Sequence, residues 1–266
     1  MKYIIKLFRL SMVFYMISFK PCIAQSVNFN AGGLPVEIIA DNGIEWHQEK
    51  LVFIARGNAK AIRGKITVFA KELRAYYKKS PEGSTEVWRV DAINNVRFET
   101  DGNIAYGQHA VYDVNSKVLT LIGNNLKLIA KNDTLTAKDQ MEYWEEKQMA
   151  VARGNAIAIR TDKKLYADIL AAYFRKSKNS GTEIYRVDAF DNVKIITEKD
   201  KAESNRGVYN VKSGIVSLTG AVKIIRDQNV LRGCSADVNL NTGISRLHRC
   251  PKGEKRVSGV INSKNK

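Results

Sequence analysis

The chain has few of the residues on which catalytic, metal-binding and disulfide-stapled proteins depend. Its 266 residues include three cysteines, three histidines and four prolines. So few cysteines exclude a disulfide-dense scaffold, and so few histidines and prolines exclude a His-rich metal site or a proline-rich linker. No HExxH, CxxC, GxGxxG, P-loop or GxSxG motif occurs in the sequence. We therefore expect no enzymatic activity, no cofactor and no metal.

Acidic residues are also scarce relative to basic ones. The chain has 43 Lys and Arg residues against 27 Asp and Glu residues, which gives a formal net charge of +16. Such an excess predicts a partner with negative charge, namely nucleic acid, an anionic lipid headgroup or an acidic polymer. Apolar residues make up 44% of the chain, which is enough to build a core and argues against extended disorder.

The N-terminal residues are typical of a secretion signal. Basic residues precede an uncharged run at 10–19, and a possible cleavage site follows Ala24. The run is shorter than the about 20 residues that a membrane-spanning helix needs, so we expect residues 1–24 to be removed and the chain to be exported to the periplasm. A retained anchor, counted from Ile4, is the alternative. Cleavage would leave a leader at 25–35 and lower the net charge to +12 by removing Lys2, Lys6, Arg9 and Lys20.

Export also changes the expectation for the cysteines. Cys234 and Cys250 remain after cleavage, sixteen positions apart, in a compartment where disulfides persist. We expect them to be bonded and to close a terminal cap at 229–250, with two unpaired thiols as the alternative. A Lys- and Ser-rich tail follows at 251–266, and its composition predicts disorder.

An internal duplication is the strongest pattern in the sequence. The segment at 55–59, Ala-Arg-Gly-Asn-Ala, returns at 152–156, and the offset of 97 residues continues without gaps. About 34 of roughly 84 aligned pairs are identical, far above chance. The first repeat covers about 36–131 and the second about 133–228. A period of this kind predicts a stack of similar units, each of which buries its apolar face against the next.

The repeated units have the composition of β-strands. Short β-branched and aromatic segments with partial period-2 alternation are separated by Asn-Gly and similar turns. Two stretches at 71–77 and 168–174 could be helical, but their equivalent repeat positions favour strands. We predict an all-β, elongated solenoid of about twenty antiparallel strands in two facing sheets, about 50 Å long.

Two repeated features have a functional and a structural interpretation. Asp91 and Asp188 could form paired carboxylates of a polysaccharide-cleaving β-helix, but their context favours structural acids at turns. The segments at 74–80 and 171–177 interleave aromatics with cations, as single-strand nucleic-acid surfaces do. Export argues against a nucleic-acid partner, and we expect these aromatics to pack inward from a strand.

The repeat resembles the OstA-like family of lipopolysaccharide transport proteins. The similarity lies in the leading segment at 36–41, the Gly57-Asn58 and Gly154-Asn155 steps, and the Tyr112-Asp113 and Tyr209-Asn210 pairs. The resemblance implies a β-jellyroll or V-shaped (β-taco) solenoid with an apolar groove along one edge. It also implies that the groove holds lipopolysaccharide by the acyl chains of its lipid A. Carried over by position and strand parity, the groove residues are Val36, Ile38, Val96, Phe98, Tyr112, Val114, Leu119, Leu121, Val193, Ile195, Tyr209, Val211, Val216 and Leu218.

The resemblance further implies partners at both ends. Family members stack end to end by strand pairing and bridge the inner-membrane and outer-membrane components of the transport system, so self-association is also expected. Two alternatives stay open at this point. One is a membrane-anchored component of the same system, if the N-terminus is retained. The other is an exported structural solenoid that binds polysaccharide, which would need a ladder of exposed aromatic or Asn residues that the sequence alone does not reveal.

Overall fold

Every regular element in the described part of the chain is a β-strand. The computed structural model describes residues 36–79, 85–100, 102–131, 133–161, 163–177, 181–198, 200–250 and 256–261. Within these ranges no helix is long and apolar enough to cross a membrane. The prediction of an all-β fold is confirmed. In chain order the strands are β1 (Glu37–Ile39), β2 (Ile44–His47), β3 (Val52–Arg63), β4 (Ile66–Lys79), β5 (Thr85–Thr100), β6 (Asn103–Asp113), β7 (Val118–Ile122), β8 (Leu126–Ala130), β9 (Asp133–Ala137), β10 (Gln140–Trp144), β11 (Met149–Arg160), β12 (Lys163–Ser177), β13 (Gly181–Ile196), β14 (Asp200–Asn210), β15 (Ile215–Arg226), β16 (Asn229–Asn239), β17 (Ser245–His248) and β18 (Ser258–Val260).

The long strands each contribute to two facing sheets, which we call arm 1 and arm 2. Each of β3–β6 and β11–β16 changes register near its middle, and its two halves continue different antiparallel ladders. Arm 1 consists of 44–47, 52–56, 72–79, 85–93, 109–113, 118–122, 140–144, 149–153, 169–177, 181–190, 206–210, 215–219, 235–239 and 245–248. Arm 2 consists of 37–39, 59–63, 66–70, 96–100, 103–107, 126–130, 133–137, 156–160, 163–167, 193–196, 200–204, 222–226, 229–233 and 258–260.

The strand count differs from the sequence prediction. Ten strands per sheet were expected, whereas each arm contains fourteen segments in the described residues. The difference arises because one long strand supplies a segment to both arms. At about 4.8 Å per strand, fourteen segments extend about 62 Å. The stretches at 71–77 and 168–174 lie inside β4 and β12, so the choice of strand over helix is confirmed.

The corner between the arms is formed by bulges of two residues against one. On β3, Gly57 and Asn58 both have positive φ, at 79° and 42°, while β4 crosses the same corner with Lys71 alone. Two consecutive left-handed residues in one strand sharply bend the ladder. The same arrangement recurs along the corner at Asn94 and Asn95, Gly154 and Asn155, Asp191 and Asn192, and Gly220 and Ala221.

Both arms pack on one another through a common core. One buried cluster joins Ala55 and Leu73 of arm 1 to Ala59, Val96 and other residues of arm 2, and a second cluster continues it through the C-terminal strands. Ala59 is 0% exposed and packs directly beside the corner. We call the opposite edge, where the strand segments of both arms end away from the corner, the rim.

The C-terminal end departs from its prediction. The sequence predicts a disordered tail at 251–266, but Ser258–Val260 form β18 and pair with β16 in arm 2. The prediction is wrong for these residues, because the arm 2 half of β16 offers a free strand edge that β18 pairs with. Residues 251–255 and 262–266 lie outside the described residues, as do the predicted signal and leader at 1–35, of which only the predictions remain.

Candidate functional site

A continuous row of apolar side chains lines the inner surface of arm 2. The register places these residues opposite one another from strand to strand, and all of them except Gly259 pack in the two core clusters. We call them the inner row of arm 2: Ile38, Ala61, Val68, Phe98, Ala105, Leu128, Leu135, Ala158, Leu165, Ile195, Ala202, Ile224, Leu231 and Gly259.

Arm 1 presents a matching row on the facing surface. This inner row of arm 1 contains more aromatic side chains, and it ends at a serine at the C-terminal strand. Its members are Trp46, Phe53, Ala75, Val90, Tyr112, Leu119, Tyr143, Ala150, Ala172, Val187, Tyr209, Val216, Val238 and Ser245. Two apolar rows that face each other along the whole solenoid form a candidate binding groove.

Most of the predicted groove residues fall on these inward surfaces. Ile38, Phe98 and Ile195 belong to the inner row of arm 2, while Tyr112, Leu119, Tyr209 and Val216 belong to that of arm 1. Val96, Val193, Leu121 and Leu218 also point inward but lie nearer the corner. All four are less than a tenth exposed, as are Phe98, Leu119 and Val216 of the inner rows. Strand parity therefore identifies the side of the strand that faces inward, but it does not distinguish the deep core from the groove wall.

Three predicted groove residues lie outside the strands. Val36 precedes β1 and is 51% exposed. Val114 and Val211 follow β6 and β14 as half-buried turn residues, and their backbone N–H groups donate to the carbonyls of Trp88 and Tyr185 at 3.0 and 3.1 Å. The sequence prediction extended strand parity into these turns. It also omitted Leu128, Leu135 and Leu165, whose alternation with polar neighbours could have identified them.

A polar contact lies at the rim of the first repeat. The Tyr112 hydroxyl donates to the Glu145 carboxylate at 3.5 Å, and Glu145 is buried. Burial raises the pKa of Tyr112 and the Glu145 charge raises it further, whereas the positive charge of Arg63 lowers it. Arg63 ends β3 in arm 2 and Tyr112 lies in arm 1, so this charge acts on Tyr112 from the facing arm. Glu145 itself belongs to the second repeat, and at the position 97 residues later, in the C-terminal cap, Thr242 takes its place.

Cationic side chains follow the rim of arm 2. Arg160 donates to both carboxylate oxygens of Asp133 at 2.7 and 2.5 Å, and Arg226 does the same with Asp200 at 2.5 and 2.7 Å. The hydrogen bond to Asp200 raises the pKa of Arg226. Lys163 is the strand neighbour of Arg160. Each bidentate pair fixes a guanidinium at the edge of the apolar interior.

The acids considered for catalysis are structural, but they do not lie at turns. Asp91 and Asp188 are buried mid-strand, and Arg186 donates to Asp188 at 2.6 and 2.8 Å, as Arg89 does to Asp91 at 2.6 and 3.0 Å. The expectation of turn acids is wrong, because an arginine two positions earlier on the same strand face satisfies each carboxylate. No group of His, Cys, Asp and Glu in the described ranges has a metal-binding arrangement.

Cys234 and Cys250 lie at the C-terminal end of the corner. Their Cα atoms are 5.2 Å apart and the structure joins them by a disulfide. Cys234 is the single corner residue of β16, opposite Gly220 and Ala221, and Cys250 follows β17. The bond therefore ties the last strand of arm 1 to the corner.

These features define a class of protein, a two-armed antiparallel β-solenoid with an apolar interior. A family model described as LptA/(LptD N-terminal domain) LPS transport protein matches the chain twice, over residues 37–140 and 134–244. These matches cover most of the chain, which therefore belongs to this family of lipopolysaccharide transport proteins. The family resemblance drawn from the sequence is confirmed.

Two individual proteins are similar to part of the chain at lower sequence identity. The Uncharacterized protein R00383 of Rhizobium meliloti (strain 1021) is 22% identical over 117 residues, which are 42% of this chain and 63% of that protein. The chain thus spans less than two thirds of the length of this relative. The crystal structure of LptH, the LptA homologous periplasmic component of the conserved lipopolysaccharide transport device from Pseudomonas aeruginosa, is 19% identical with a TM-score of 0.42. It covers 49% of this chain and 95% of LptH.

Proposed function

We propose that this protein is a non-enzymatic, periplasmic carrier that holds the acyl chains of lipopolysaccharide between its arms and bridges the two membranes. The observation that carries the proposal is the pair of facing apolar inner rows, which run through every segment of both arms except at the C-terminal end, where arm 1 has Ser245 and arm 2 has Gly259. Each methylene group that moves from water into such an interior contributes about 0.8 kcal/mol. Burial of several long acyl chains therefore contributes more free energy than is lost when the lipid displaces the contacts at the rim.

The distribution of burial supports entry from the rim. Leu126 and Val96, beside the corner, are almost fully buried, whereas Val68, Leu128 and Leu165 of the inner row of arm 2 are only half-buried. Side chains that are apolar, inward-facing and still partly accessible are what an acyl chain would cover. The guanidinium and ammonium groups at the rim of arm 2 would then lie beside the phosphates of the lipid headgroup and donate charge-assisted hydrogen bonds.

The test places a photo-crosslinking amino acid at Phe98 or Ile195, with Glu99 or Ile196 as matched controls. Each control lies one position along the same strand and on the opposite face. Labelled lipid A, which lacks the polysaccharide chain, should form adducts at Phe98 and Ile195 and not at Glu99 and Ile196. Equal labelling of both faces, or labelling of neither, would overturn the proposed groove.

The two ends of the solenoid support end-to-end assembly. Most of the exposed large apolar residues in the described chain lie at the ends: Val36, Ile39, Ile44 and Trp46 at one, and Ile244, Val257, Val260 and Ile261 at the other. Ile44 and Trp46 face inward from β2, which pairs with β3 alone among the residues that the structure describes. An unpaired edge beside an exposed apolar surface favours pairing with another strand. We propose that these ends meet membrane components of the transport system or a second copy.

The duplication sets the length of the proposed bridge. A fold of about 62 Å places two repeats in one chain, so fewer subunits would span a given distance. Cleavage after Ala24 would release the chain as a free periplasmic segment. A retained N-terminus would instead make it the membrane-anchored component of the same system, and its groove would serve the same lipid.

A further inference from the structure

The outer surface of arm 2 carries a second continuous row, and this one is basic and aromatic. The register aligns it across the strands one position away from the inner row, so its side chains point outward. We call it the outer ladder: Ile39, Lys60, Phe69, Arg97, Tyr106, Lys127, Thr136, Ile157, Tyr166, Lys194, Glu203, Lys223, Arg232 and Ser258. It contains six basic residues and one acid.

The outer surface of arm 1 differs in charge. There, acidic residues alternate with basic ones and many are held in ion pairs, as Glu72 is with Arg56 and Arg74, and Glu142 is with Arg153. The outward row next to the outer ladder contains Glu37, Glu99, Lys164 and Lys201, whose charges balance. The positive excess on the described sheet surfaces is therefore concentrated on one line along arm 2.

Cations and aromatic rings are paired along the ladder. The Arg97 guanidinium lies over the Phe69 ring at 4.1 Å and Lys60 lies over the same ring at 5.5 Å. Lys194 lies over the Tyr166 ring at 5.4 Å. Arg97 also pairs with Glu99 at 2.8 Å and keeps 40% side-chain exposure, so these contacts hold the charged groups in place and leave them in contact with water. The positive charges are therefore partly organised before any partner binds.

The spacing indicates the kind of partner. Lys60, Arg97 and Lys127 occupy every second strand, about 9.6 Å apart. Lys194 and Lys223 have the same spacing around Glu203, and Arg232 lies directly beside Lys223. Four strand steps, across Thr136, Ile157 and Tyr166, separate the two groups. Adjacent strands of a sheet rotate on average by about 20° relative to each other, so we expect the ladder to wind around the solenoid axis. A flat membrane surface would contact a few strands of a winding ladder, whereas a flexible linear chain can follow all of it.

We propose that the outer ladder binds an acidic polysaccharide, a ligand separate from the lipid in the groove. The carboxylate groups of the polysaccharide would pair with the cations at alternate strands. The edges of Tyr106 and Tyr166 would contact the sugar rings that lie between these cations. The two sites lie on opposite faces of the same strands, so this proposal does not depend on the proposed function of the groove.

The test uses polygalacturonate oligomers as the probe, with a neutral glucan of equal length as the reference. The ladder variant is Lys60→Gln, Lys127→Gln and Lys194→Gln combined. The matched control is Lys50→Gln, Lys138→Gln and Lys212→Gln, which removes the same charge from exposed positions outside the ladder. At low ionic strength, calorimetry should show at least about tenfold weaker polygalacturonate binding for the ladder variant, and a change below about threefold for the control.

The outcomes separate specific binding from general attraction. Equal weakening in both variants, or equal affinity for the neutral glucan, would overturn the proposal. Tight binding of anionic phospholipid vesicles without polygalacturonate binding would assign the ladder to a membrane instead and would also overturn it. Lipid A capture should be unchanged in the ladder variant. If lipid A capture is lost, the single variant Lys127→Gln is tested instead, because Lys127 has no ring contact among those described. Unchanged polygalacturonate affinity in that variant would then refute the proposal.

Discussion

At the residue scale, the fold depends on a few positions that only a particular backbone conformation can occupy. The clearest is Gly57, whose φ is 79° and whose carbonyl accepts the N–H of Asp41 at 2.8 Å. A Cβ atom at this position would lie 2.6 Å from Cγ of Asn42 and 3.0 Å from its backbone nitrogen. A side chain here would therefore combine backbone strain with a collision against the linker between β1 and β2.

The variant Gly57→Ala should lower the free energy of unfolding by more than Gly102→Ala does. Gly102 also has positive φ, at 81°, but nothing lies within 4 Å of its Cβ position, so the control contains the strain of about 1 kcal/mol without the collision. We expect Gly57→Ala to lose at least about 1 kcal/mol more in urea denaturation. Equal losses of unfolding free energy in the two variants would show that the linker between β1 and β2 adds no steric cost at the corner.

Residue identity also explains how neighbouring aromatics divide between the faces. The sequence predicts that the aromatics at 74–80 pack inward, but this holds for one of the pair. Tyr77 is buried and accepts a hydrogen bond from Trp46 at 2.7 Å, while Tyr76 lies outward beneath Arg89. Phe174 and Tyr173 repeat the division, with Phe174 against Tyr143 and Tyr173 under Arg186. Successive side chains of a strand point to opposite faces, and only the pairing shows which is which.

At the element scale, the disulfide between Cys234 and Cys250 holds the C-terminal cap on the solenoid. It closes a loop of 16 residues that contains β17, a strand paired on one side alone in the described chain. In a stack whose units contact only their neighbours, the loss of a terminal restraint destabilises that end first.

The variant Cys250→Ser should therefore lose protection at the C-terminal end. A crosslink of this loop length contributes about 3 kcal/mol. Hydrogen exchange of β16 and β17 should accelerate, while exchange of β3 and β4 at the other end stays at the wild-type rate. A reductant should reproduce the effect in the wild type and have no effect on the variant. Uniform acceleration along the chain would mean that the cap stabilises the whole fold at once.

At the scale of the whole molecule, the exposed apolar ends predict association along the long axis. The variant Ile44→Lys places a charge at the N-terminal end, where the side chain is 53% exposed, and Ile122→Lys places the same charge at 42% exposure in the middle. Sedimentation at rising protein concentration should show end-to-end oligomers in the wild type and in Ile122→Lys. Ile44→Lys should remain monomeric, because a charge at the junction would be buried without a partner.

Other sedimentation results would contradict or restrict this prediction of end-to-end association. Oligomers that survive Ile44→Lys would place the contact elsewhere, and compact particles in electron micrographs would contradict axial stacking. Monomers in all three proteins would limit the ends to pairing with other components of the transport system. The length of the observed units, about 62 Å or its multiples, gives a second check.

The sequence by itself determined the strands, the duplication and the inward parity of residues such as Phe98 and Ile195, because alternation and a gapless offset are local or linear properties. Its failures at Val114, at the strand count and at β18 all concern where strands bend, end or find a partner. The tertiary structure alone decided that Gly57 and Asn58 form a corner that divides one strand between two arms. It alone aligned Lys60, Arg97 and Lys127 in one outer ladder, since residues far apart in the chain become neighbours only through register.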